Sequence, residues 1–148
     1  MKKQKPAFYK FDYFEKVFLI DIVLCVGDMD QYFKYVGKNF NVTNGSSMSS
    51  LEGCSRRFTK KDDTNTVSTF YVIYLRNLNN FYTLSHELIH LCRTAFIDRG
   101  VPVDLEGDDE TFAYLHTHLL KELWRKMGKK TNSLSKKKKT VKIIKDEN

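Results

Sequence analysis

The stretch Leu84-Ser85-His86-Glu87-Leu88-Ile89-His90-Leu91-Cys92 decides how this chain is read. It contains the pattern H-E-x-x-H. Residues four apart lie on one face of an α-helix, so the imidazoles of His86 and His90 can reach one ion. Glu87 stands beside them, where a carboxylate can hold a metal-bound water. At the chain's own usage of His and Glu, roughly 0.005 such matches are expected by chance. Leu84, Leu88, Leu91, Ala95 and Phe96 form an apolar helical face, with His86, Glu87 and His90 together on another. Thr83 or Ser85 is the expected cap, and Gly100 and Pro102 stop the helix after Arg99.

Working outward toward the N-terminus, Val67 to Arg76 reads as a strand. Lys60–Asn65 is a polar, hairpin-like connection, and Ser55–Thr59 a short strand before it. Asn41–Gly53 is a polar loop rich in Ser, Asn and Gly. Met29, Tyr32, Phe33, Val36 and Phe40 recur at helical spacing behind Asp28, a suitable N-cap. Val17 to Val26 is apolar except for Asp21 and predicts a strand covered on both faces. The aromatic cluster Phe8–Phe14 belongs to a basic lead-in and is expected to pack over the domain.

Toward the C-terminus, a loop over residues 101–107 leads to a last helix, with Asp108 as its cap. Phe112, Leu115, Leu119, Leu123 and Trp124 give its apolar stripe, and Gly128 is expected to close it. The remainder is Lys- and Ser-rich without a core pattern, which predicts a loose tail. The organisation is therefore a lead-in over 1–15, one domain over 16–128 and a flexible tail over 129–148.

The net charge of +7 suggests a polyanion partner, but its distribution does not. Residues 129–148 hold eight Lys against Asp146 and Glu147, a net +6, which leaves +1 for residues 1–128. The basicity sits at the two ends. Cys25, Cys54 and Cys92 are odd in number and lack a C-x-x-C pair, as expected of free thiols in a reducing compartment. The apolar run before Val26 is too short to span a bilayer and lies too far in for a signal peptide. A soluble, cytoplasmic protein is the expectation.

Two histidines do not complete a catalytic zinc site, which takes three protein ligands and leaves one position for water. Asp104, Glu106, Asp108, Asp109, Glu110, His116 and His118 are the downstream candidates. A helix folding back over the first presents its opening turns toward the ion. Glu110 fits this best, three before the small Ala113, which would allow close helix approach; Asp109 is its main rival. A third His at the H-E-x-x-H-x-x-G-x-x-H spacing would fall at position 96, which is Phe96.

The helix bearing H-E-x-x-H, followed about twenty residues later by Glu110-Thr111-Phe112-Ala113, resembles the gluzincin branch of the zinc metallopeptidases. With Gly100-Val101-Pro102 and Asp109-Glu110-Thr111-Phe112-Ala113-Tyr114-Leu115, it is similar to compact gluzincin-like proteins often encoded by bacteriophages. The resemblance implies an α+β, minimal zincin fold: a small, mostly antiparallel sheet packed on the HExxH helix, with a second Glu-bearing helix completing the metal site. It implies Zn2+ held by His86, His90 and Glu110, with Glu87 as general base in peptide hydrolysis. It also implies an edge strand that binds extended protein or peptide substrate, for which Val67–Arg76 is the candidate, and a host cytoplasm if the chain is phage-encoded. Tyr114, one turn after Glu110, is a candidate oxyanion donor or a packed aromatic. His116 and His118 alternate, so at most one faces the cleft. Two alternatives stand beside this reading. One is a zinc-binding zincin scaffold that regulates or binds without catalysis. The other is a DNA-associated protease, since the H-E-L-I-H segment also resembles the SprT-like proteases and Lys136, Lys137, Lys138 and Lys139 could contact phosphates or an acidic partner.

Overall fold

The computed structural model describes residues 7–40, 51–102 and 110–146, with side chains as far as residue 132. Its elements in chain order are β1 (Phe8–Glu15), β2 (Ile20–Gly27), α1 (Met29–Phe40), β3 (Gly53–Lys61), β4 (Val67–Leu75), α2 (Phe81–Asp98) and α3 (Glu110–Asp146). The fold is α+β. The four strands form one mixed sheet in the order β1-β2-β4-β3. The β1–β2 and β3–β4 pairs are antiparallel, and the central β2–β4 pair is parallel.

Alternation along the two central strands sends side chains to two cores. Ile20, Ile22, Leu24 and Val26 of β2 and Tyr71, Ile73 and Leu75 of β4 pack on α2 and α3. Val23, Cys25, Val72 and Tyr74 face α1, against Tyr32 and Val36. The sheet is therefore covered on both faces, which is why β2 and β4 read as almost unbroken apolar runs. In α3, Leu115, Leu119 and Leu123 of the expected stripe are fully buried, Phe112 and Trp124 are partly buried, and Met127, outside that stripe, is also buried.

Several expectations are revised. The aromatic cluster of the lead-in is strand β1, with Phe8 paired to Gly27 and Glu15 to Ile20. Tyr9, Phe11 and Tyr13 alternate onto the α3 side. The buried Glu15 carboxylate turns the chain into β2 by accepting from the Val17 and Phe18 amides at 3.1 and 2.6 Å. Val67–Leu75 is not an edge: β3 lies outside it. Gly128 does not close α3, which continues to Asp146. One helical glycine costs only about 1 kcal/mol relative to Ala, and the Lys-rich stretch after it contains no proline. The 41–50 loop and the Asp108 cap lie outside the described residues.

Candidate metal centre

Helix α2 starts at Phe81, earlier than the expected caps. Asn80 is its N-cap, its side chain accepting from the Thr83 amide at 3.1 Å. At the other end Gly100, at φ 65°, takes the left-handed conformation. Gly100 N–H donates to Ile97 O at 3.1 Å and Val101 N–H to Phe96 O at 2.9 Å, a Schellman closure. Val101 then packs against the main core. Arg99 ties this end to the β1–β2 turn, donating to Phe18 O at 2.9 Å and Leu19 O at 2.5 Å. Both ends of α2 are thus held, and so is the position of the residues between them.

His86 and His90 are exposed on the outer side of α2, with their Nε2 atoms 3.1 Å apart. Two imidazole nitrogens at about 2.0–2.1 Å from a tetrahedral ion lie roughly 3.3–3.4 Å from each other. The pair therefore fits the two-histidine half of a zinc site. Glu87 does not share their face. It turns inward to 8% exposure, between α2 and the edge strand β3. There the Ser55 N–H donates to its carboxylate. Burial pushes the Glu87 carboxyl above its ordinary value, and both histidines and the Ser55 amide pull it partly back.

The approach of β3 to α2 depends on Gly53. A Cβ there would lie 2.4 Å from Thr83 Cγ2, 3.1 Å from Tyr74 O and 3.3 Å from Glu87 Cγ. Two hollows follow the seam between strand and helix, and Glu87 lines both. One, of about 470 Å³, runs past Ser55, Arg56, Arg57, His90 and Thr94. The other, of about 420 Å³, runs past Glu52, Gly53, Tyr82, Thr83 and His86. Farther along the first, Arg57 pairs with Asp98 of α2, whose other oxygen accepts from the Tyr71 hydroxyl at 2.6 Å. A third hollow, of about 530 Å³ at the ends of β2 and β4, shares no lining residue with the histidines or Glu87.

Among the described residues, no third His, Cys, Asp or Glu forms a metal-binding group with His86 and His90. Glu110 is exposed and is the first residue of α3. Asp104, Glu106, Asp108 and Asp109, just before it, lie outside the described residues. Ala113 is exposed, so close packing of α2 on α3 rests on Leu115 and Leu119 rather than on that small residue. His116 joins the two helices, its Nε2 3.1 Å from Ser85 O. His118 is hydrogen-bonded with the Tyr13 hydroxyl at 2.8 Å, and Tyr114 stacks on His118 with ring centroids 6.1 Å apart. Tyr114 is thereby grouped with β1, while its ring stays 62% exposed. Sequence reasoning missed Gly53 and Ser55. The only signal was a short strand of unassigned position.

No protein-family description, curated protein or solved structure matches this chain. Among the described residues, no helix is long and apolar enough to cross a membrane.

Proposed function

We propose that the protein is a zinc-dependent peptidase in which His86, His90 and Glu110 hold the metal and Glu87 is the general base. The observation that carries this reading is the pairing of two exposed imidazole nitrogens 3.1 Å apart with a neighbouring buried carboxylate under a sheet edge. When bound, zinc lowers the pKa of a coordinated water to about 7 and polarises a carbonyl. Glu87 Oε takes a proton as water attacks the scissile carbonyl and delivers it to the leaving nitrogen. The outward amides and carbonyls of β3 align an extended chain by strand addition. Tyr114 is a candidate donor to the oxyanion, supported only by its spacing from Glu110 and its exposed ring.

The test measures zinc content and cleavage of a mixture of unfolded proteins for wild type, Glu87→Gln and Glu110→Ala. Wild type and Glu87→Gln should each carry about one zinc per chain, with cleavage by Glu87→Gln reduced by about 10²–10⁴-fold. Glu110→Ala should lose zinc affinity. Glu87→Gln cleaving as wild type does would overturn the role of Glu87, and unchanged zinc affinity in Glu110→Ala would remove Glu110 from the ligand set.

A further inference from the structure

The edge strand beside Glu87 is strongly one-signed. Within Gly53–Lys61 stand Arg56, Arg57, Lys60 and Lys61, and no acidic residue. Lys60 and Lys61 are exposed, and the Arg57 side chain is half exposed beyond its contact with Asp98. Two neighbouring acids are engaged, while Asp63 of the β3–β4 turn is exposed. Asp62 accepts from the Thr64 and Thr66 amides of its own turn at 2.8 and 2.9 Å, and Glu52 faces Arg76 at 3.6 Å.

Among the described residues, the backbone of this strand is also available on one side. Glu52 O accepts from Arg76 N at 2.9 Å and Asp62 N donates to Thr66 O at 3.0 Å, so the even-numbered residues between them bond toward β4. Gly53, Ser55, Arg57, Thr59 and Lys61 therefore turn their N–H and C=O groups outward, away from the sheet. Of these, the Ser55 amide is the one that holds Glu87. An added strand would pass its backbone along this row. Its side chains would meet Arg57 and Lys61 on the α2 face and Arg56 and Lys60 on the α1 face.

We propose that this edge selects extended acidic segments of its protein substrates. Asp or Glu side chains lie opposite Arg56 and Arg57, one or two positions from the residue facing Ser55. A second acidic cluster lies opposite Lys60 and Lys61, four residues or roughly 13 Å farther along at about 3.3 Å per residue. The register rests on the peptidase reading, because Glu87 marks the point of cleavage; the charge preference rests on β3 alone. Cross-strand pairs of opposite charge contribute modestly each, so selectivity comes from several acting together and weakens with salt.

The experiment uses the full chain with zinc and labelled extended peptides that share one backbone sequence. The peptides carry Glu, Gln or Lys at the positions facing Arg56, Arg57, Lys60 and Lys61. Binding is read by fluorescence anisotropy, and cleavage separately by mass spectrometry. The Glu peptide should bind about tenfold tighter than the Gln peptide at low salt, with the Lys peptide weakest. The exposed double variant Lys60→Glu/Lys61→Glu should reverse the order, with its thermal midpoint confirming that it folds. Equal binding of all three peptides, no binding of any, or tighter binding of a single-stranded oligonucleotide than of the Glu peptide would overturn the proposal. Cleavage without charge preference would overturn it while leaving the peptidase reading. Charge-selective binding without cleavage would do the reverse.

Discussion

Gly53 shows how one residue sets the spacing of the site. Its missing Cβ lets β3 lie against Thr83 and Glu87 of α2. A methyl at 2.4 Å from Thr83 Cγ2 forces the strand or the helix to move. Gly53→Ala is expected to cost about 1–3 kcal/mol, as overpacking does, and to shift the Ser55 amide away from Glu87. Chemical denaturation together with the cleavage assay checks this. Stability and activity both at wild-type level would show that the seam is looser than described. In the sequence Gly53 looks like the end of a polar loop, because the atoms that require a glycine belong to residues 21–34 positions later. His86 and His90 are the opposite case. Their juxtaposition follows from a four-residue spacing on a helix and was legible at once. Glu87 was half legible: its place beside the histidines was, its inward turn under β3 was not.

At the scale of elements, α2 carries the site and its ends are what hold it. Asn80 caps the first turn through the Thr83 amide. Asn80→Ala should lower stability by about 1 kcal/mol, measured by denaturant midpoint at unchanged slope. No change in midpoint would mean that the first turn is held by packing of Leu84 and Phe81 alone. The sequence alone points to Thr83 or Ser85 as the cap, whereas the cap is Asn80, because its side chain reaches the Thr83 amide. The strands divide similarly. β2 and β4 were visible as apolar runs, and their burial on both faces follows from α1 on one side and α2 with α3 on the other. The aromatic residues of β1 alternate with Lys10 and Asp12, yet their pairing with β2 depends on a partner that composition does not name.

For the whole molecule, the two cores bury thiols as well as hydrocarbons. Desolvation pushes Cys25 and Cys92 from an ordinary value of 9.0 up to about 12. Burial also raises the Tyr71 and Tyr32 hydroxyls. The sign follows from which state keeps its protons. Above pH 9 the unfolded chain releases thiol protons that the folded chain retains. Stability is therefore fully present below that pH and is lost as pH rises toward 12. Urea midpoints should hold from neutral pH to about pH 9 and fall above it, and fall less in a Cys25→Ala/Cys92→Ala variant. A flat profile would show that these thiols are not sealed from water.

The sequence by itself determined what depends on short-range periodicity: the amphipathic helices, the buried strands and two imidazoles on one helical face. Steric and hydrogen-bonding rules within a few residues govern those features. The tertiary structure decided the strand order, the placing of β3 rather than β4 at the edge, and the burial of Glu87 against Ser55. These are pairings between segments tens of residues apart. An apolar pattern states that a strand must be covered, and it does not state by which neighbour.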